Sequence, residues 1–115
     1  MLPADLVILI IENNREDYTL VSECLKESFD NATVFHADTL QKGIDFIEKE
    51  DINIIFLNLI LPDETDIQSF RSVHAKAPLV PVIILSVLGD TPLALESLQP
   101  EHRIVYSKTT SLLLF

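Results

Sequence analysis

Three nearly unbroken apolar runs divide the chain: Leu6–Ile11, Ile52–Leu57 and Val80–Leu85. They are rich in β-branched residues and do not alternate with polar ones, which predicts strands buried on both faces of a parallel sheet. Pro81 falls near the start of its run, where a missing ladder donor is tolerated. Two shorter, more mixed runs, Ala32–Ala37 and Ile104–Tyr106, predict edge strands. Between the runs, apolar residues recur at three and four positions, the mark of one buried helix face. From Arg15 to Phe29 these are Tyr18, Val21, Cys24, Leu25 and Phe29, with Asn14 as N-cap and Glu16 and Asp17 in the first turn. From Thr39 to Lys49 they are Leu40, Ile44 and Ile47, with Asp38 as the expected cap; from Thr65 to Ala77 they are Ile67, Phe70, Val73 and Ala77. A shorter fourth helix is expected after Asp90 or Thr91, with Pro92 in its first turn, Leu93, Leu95 and Leu98 behind it, and Pro100 ending it.

Strand and helix thus alternate four times before a fifth strand, the order of an α/β doubly wound parallel sheet with helices on both faces. Function in such sheets gathers at the carboxyl ends of the strands. Here those ends carry Glu12 and Asn13, Asn58, Ser86 and Lys108.

Composition narrows what those residues can do. The 115 residues are read as one domain, 1–115, and 18 acidic against 8 basic side chains leave a formal charge of −10. That balance argues against nucleic acid and against a polybasic membrane patch as partners. Hydrophobic content of 48% is ample for a packed core. The apolar runs are far shorter than the roughly 18–20 residues that cross a bilayer, and no cationic leader precedes the first. A single cysteine, Cys24, gives no internal disulfide and points to the cytoplasm; it is expected to be an inert core thiol of the first helix. Two glycines in the chain exclude most phosphate-cradling loops. His36, His74 and His102 have no metal-ligand spacing, and Ser86 has no histidine base near it in the motif order, so neither a zinc site nor a hydrolase triad is expected. Asp63, Glu64 and Asp66 are expected as solvated turn and helix N-cap residues.

In this setting the sequence resembles the receiver domain of bacterial response regulators over essentially its whole length. LVILIIENNRED is similar to the first strand and acidic pair, and NIIFLNLILPDETD to the third strand, phosphoacceptor position and Leu-Pro-Asp turn. VPVIILSVLGD is similar to the fourth strand with its hydroxyl residue, and IVYSKTT to the fifth strand and lysine. The resemblance implies a flavodoxin-like five-stranded sheet of order 2-1-3-4-5. It also implies a signalling role, without enzymatic activity, in a two-component or phosphorelay system. Ser86 and Lys108 match the family pattern, but the acidic pair is Glu12-Asn13 and the phosphoacceptor position is Asn58. A carboxamide lacks the anionic oxygen that attacks a phosphodonor. Asp66 replaces the glycine expected after the turn, Thr109 the proline after the lysine, and the switch-aromatic position falls on Val105, with Tyr106 on the opposite side of the strand.

An intact site of three acids and a lysine carries about −2, whereas Glu12 and Lys108 together carry about 0. Mg²⁺ binding is therefore expected to be weak or absent, with Glu12 the remaining candidate ligand, and Lys108 is expected to be satisfied by Glu12 and the Asn58 carbonyl. The leading reading is a degenerate pseudo-receiver acting by protein–protein interaction, with a partner such as a histidine kinase or an attached output domain. Two others stay open: a conventional Mg²⁺-dependent phosphoacceptor receiver in which Asn13 and Asn58 are introduced substitutions, and a small-ligand sensor reusing the pocket. The chain stops soon after the fifth strand, so the fifth helix is expected to be short or missing, or the chain to be a fragment of a longer protein. An uncovered face there predicts a homodimer through Leu93, Leu98, Tyr106, Leu113 and Phe115.

Overall fold

The computed structural model describes residues 6–59, 61–64, 67–86 and 104–107, with the backbone alone at Ile67, Ser86 and Ile104–Ser107. Its apolar runs form the strands β1 (Val7–Ile11), β2 (Thr33–Ala37), β3 (Ile54–Asn58), β4 (Val82–Ser86) and β5 (Ile104–Ser107). They pair in parallel in the order β2-β1-β3-β4-β5. The two mixed runs are the edges, where one side of the strand lacks a neighbour and polar residues are tolerated. The strand order reverses between β1 and β3, so a crevice opens at their carboxyl ends.

Three helices are described: α1 (Arg15–Ser28), α2 (Leu40–Lys49) and α3 (Ile67–Lys76). Alternate strand residues face opposite sides, and each side has its own helices. Ile8, Ile10, Phe56, Ile83 and Leu85 pack with Val21 and Leu25 of α1. Leu9, Ile11, Ile55, Leu57 and Ile84 pack with Leu40 and Ile44 of α2 and Phe70 and Val73 of α3. This two-sided burial is why β1 shows no alternation: Ile8, Leu9, Ile10 and Ile11 are all fully buried. Each such side chain contributes about 1.5–3 kcal/mol relative to exposure, before conformational entropy is set against it. At one point the packing needs a missing side chain. A Cβ on Gly43 of α2 would lie 2.5 Å from Cδ1 and 2.9 Å from Cγ1 of Ile11, so the helix rests directly on the end of β1.

Several local expectations change. β3 begins at Ile54 rather than Ile52, because Asn53 closes the end of the ladder itself: its Oδ1 accepts from the Val7 amide and its own N–H donates to the Val7 carbonyl, both at 2.8 Å. β4 starts after Pro81, which has no N–H to donate but whose carbonyl accepts from the Ile55 amide at 3.0 Å. Helix α1 is capped by Asn14, whose Oδ1 accepts from the Asp17 amide. Helix α2 is capped by Thr39, not Asp38; Asp38 instead pairs with Lys42 at 2.9 Å. Cys24 is half-buried rather than a core thiol, and burial, reinforced by Glu27 and Glu23, pushes its pKa up. The buried polar residue of α1 is its neighbour Ser22. The expected fourth helix and the region of the fifth lie outside the described residues.

Candidate pocket at the carboxyl ends of the strands

Glu12 follows β1 directly and is fully buried, while its N–H donates to the Ala37 carbonyl at 2.9 Å and so fixes the backbone beside β2. Asn58 is the last residue of β3 and is also buried. The parallel register sets Ile11 opposite Leu57, so the residues that follow them, Glu12 and Asn58, emerge side by side at the sheet end. There Asn58 Nδ2 donates to Glu12 Oε2 at 2.7 Å and reaches Asn13 Oδ1 at 3.5 Å. The same Glu12 oxygen accepts from the Asn14 amide at 3.2 Å. One carboxylate thus holds the amide of β3 and the entry to α1 together, and charge-assisted bonds of this kind are stronger than neutral ones.

A further contact steadies the loop from outside. His36 Nε2 lies 2.8 Å from the Glu12 carbonyl, and since a carbonyl only accepts, Nε2 carries the proton. The imidazole stacks on Tyr18 with ring centroids 3.8 Å apart and planes 12° apart. Sequence reasoning missed this pair. Its signal, a histidine one residue before the end of an edge strand and an aromatic in the first turns of the preceding helix, becomes readable only once β2 is placed beside β1.

Asp63 was expected to cap a helix, and it does so, but the helix is α2. Its Oδ1 accepts from the Leu40 amide at 2.8 Å and its Oδ2 from the Gln41 amide at 3.0 Å. Partial burial raises the carboxyl pKa, but the bonds from Gln41 and Leu40 outweigh it and hold Asp63 below the ordinary range. The loop that carries Asp63 is anchored by the buried Leu59 and Leu61, and the buried Ser69 donates from Oγ to the Leu59 carbonyl at 2.9 Å.

The structure therefore brings Glu12, Asn13 and Asn58 together. Ser86 ends β4, with its backbone paired to Ser107 of β5. Tyr106 lies in β5, opposite Leu85 in the register. Lys108, Leu93, Leu98, Leu113 and Phe115 lie outside the described residues.

Comparisons with known proteins agree with this architecture. The family model described as the response regulator receiver domain matches residues 8–112. The chain belongs to this family, the receiver domains through which response regulators of two-component systems signal. Among curated proteins no sequence matches it significantly. Among solved structures it resembles the N-terminal domain of an uncharacterized protein from Wolinella succinogenes, with TM-score 0.59 and 20% identity over 70% of this chain and 64% of that one. It also resembles the Salmonella typhimurium response regulator RcsB, with TM-score 0.74 and 13% identity over 89% of this chain and 53% of that one. The chemotaxis response regulator CheY4 of Vibrio cholerae matches with TM-score 0.74 and 14% identity, over 92% of this chain and 88% of that one. The match spans just under two thirds of the Wolinella N-terminal domain and about half of the Salmonella chain. Identities this low show a shared fold.

The family implies a divalent cation at this end of the sheet, and the donor set present does not fit one. Of Glu12, Asn13 and Asn58 only the first is a carboxylate, and Asn58 turns N–H groups, not an oxygen, toward it. Mg²⁺ takes oxygen ligands in a near-octahedral set, so an amide N–H aimed at the best of them competes with the ion. No group of three His, Cys, Asp or Glu side chains that could hold a metal occurs among the described residues. Nor is any described helix long and apolar enough to cross a membrane.

Proposed function

We propose that this receiver domain signals without accepting a phosphoryl group, through recognition of its surface by a protein partner. The observation that carries the reading is the 2.7 Å bond from Asn58 Nδ2 to Glu12 Oε2. Phosphoryl transfer to a receiver needs an anionic oxygen as nucleophile and a cation to offset the arriving charge. Position 58 offers an amide, and the carboxylate that would help to hold the cation is engaged with that amide. What remains is a folded surface. The partner is a kinase or an output domain, attached or separate, and a homodimer is the working form. The match to about half of the Salmonella response regulator supports an output located outside the receiver domain.

The test is incubation with acetyl phosphate and Mg²⁺ followed by intact-protein mass spectrometry. An unchanged mass is expected. A gain of one phosphoryl unit that hydroxylamine removes would overturn the proposal.

A further inference from the structure

Both halves of the pocket lead to the same place, the first turn of α2. On one side, Glu12 directly follows Ile11, and Ile11 is the residue on which α2 rests through the bare Cα of Gly43. On the other side, Asn58 begins the loop that passes the buried Leu59 and Leu61 and reaches Asp63, whose carboxylate holds the Leu40 and Gln41 amides. Leu40, Leu59 and Leu61 share one apolar cluster, so loop and helix also pack together.

The first amides of a helix have no partner within the helix and need one from elsewhere. In α2 the work is divided. Thr39 Oγ1 accepts from the Lys42 amide at 3.2 Å, a local cap that moves with the helix. Asp63, more than twenty residues away in sequence, serves Leu40 and Gln41. A local cap reports nothing, because it travels with what it caps. A distant cap ties helix order to the position of the loop that supplies it.

We propose that Asp63 is a positioning residue that latches the first turn of α2 to the loop behind Asn58, making that turn the element through which the pocket is read by a partner. Whatever displaces the loop withdraws two acceptors from α2 and loosens its first turn. Linkage makes the effect reciprocal: a partner that holds the start of α2 holds the loop and the amide at position 58. The coupling does not depend on whether position 58 takes a phosphoryl group, so it stands or falls separately from the function proposed above.

Amide hydrogen exchange on the whole chain, resolved by residue, tests it. Asp63→Ala is expected to speed exchange at Leu40 and Gln41 about tenfold, the size of losing a good cap. Asp63→Asn, which keeps the shape and one acceptor oxygen, should give a smaller rise and guards against gross misfolding. Asn58→Ala, which touches neither amide, should also speed exchange at Leu40 and Gln41. The double variant should then fall short of the product of the two effects, as for residues acting along one route. Thr39→Ala should speed Lys42 and leave Leu59 and Leu61 unchanged. If Asp63→Ala leaves Leu40 and Gln41 protected, no latch exists. If Asp63→Ala loosens them but Asn58→Ala does not, Asp63 is only a cap, and the readout role is lost.

Discussion

The carboxamide of Asn58 and the carboxylate of Glu12 meet at 2.7 Å with the amide donating, a bond that only a donor at position 58 can make. Asn58→Asp replaces that donor with an acceptor and sets a second carboxylate against a buried one. Like charges so placed cannot both stay ionised at no cost. The expected loss is about 1–3 kcal/mol, the cost of leaving a buried polar group without its partner, and a Tm lower by roughly 4–12 °C for a chain of this size. Millimolar Mg²⁺ should restore part of the loss in the variant and leave the parent chain unchanged. Thermal denaturation with and without the cation reads both. A variant as stable as the parent in the absence of metal would show that the bond contributes little.

Asp63 ties acid sensitivity to α2. Its folded carboxyl titrates below the ordinary range because the Gln41 and Leu40 amides hold the charged form. A depressed folded pKa contributes stability that is fully present above the unfolded value of about 3.9 and is lost as pH falls through the folded value. Asp63→Asn should therefore flatten the fall in urea midpoint below pH 4 and change little of its slope near neutrality. Asp38, lowered by its hydrogen bond to Lys42, gives a contribution of the same sign on an exposed ion pair. Salt should weaken that contribution and spare the Asp63 one. A urea series across pH, at two salt concentrations, separates the two acids.

The strands were legible because β1, β3 and β4 are buried on both faces, and such burial leaves continuous apolar runs that need no tertiary knowledge to see. Asn14 was legible as a cap because it serves its own helix. The cap of α2 was misplaced by one residue, since Asp38 and Thr39 are both good N-caps and their backbone angles decide between them. Asp63 was readable as a capping acid but not as the cap of a helix preceding it in sequence, because that needs the sheet order. The pairing of Glu12 with Asn58 was reachable from topology: two parallel neighbours that end together present their next residues side by side. Its polarity followed from chemistry, as an amide facing a carboxylate must donate.

Gly43 is a site where helix propensity and packing oppose each other. Gly43→Ala gains about 1 kcal/mol of helix propensity. Its new Cβ, however, would sit 2.5 Å from Ile11 Cδ1 and 2.9 Å from Cγ1, and overpacking of this kind costs about 1–3 kcal/mol. Cδ1 can swing aside, but Cγ1 is closer to the backbone and Ile11 is fully buried, so packing should prevail. A net destabilisation of up to about 2 kcal/mol is expected in urea unfolding. The compensating change Ile11→Val removes Cδ1 and should recover part of it in the double variant. Stabilisation by Gly43→Ala alone would mean that α2 can lift off β1 without loss.

Ser69 holds the start of the Asp63 loop from below. Its hydroxyl is buried and donates to the Leu59 carbonyl at 2.9 Å, one residue beyond Asn58. Ser69→Ala removes the donor and leaves a buried carbonyl short of a partner, at a cost of about 1–3 kcal/mol. Ser69→Thr keeps the hydroxyl but adds a methyl group in a site with no exposed surface, so it should be destabilising through packing and not through polarity. The two variants are told apart by exchange at Leu59 and Leu61. Loss of the hydroxyl loosens the loop and speeds exchange there, whereas the methyl strains α3 while the bond persists. If Ser69→Ala unfolds at the parent's urea midpoint, the carbonyl has found another donor and the loop is not held by α3.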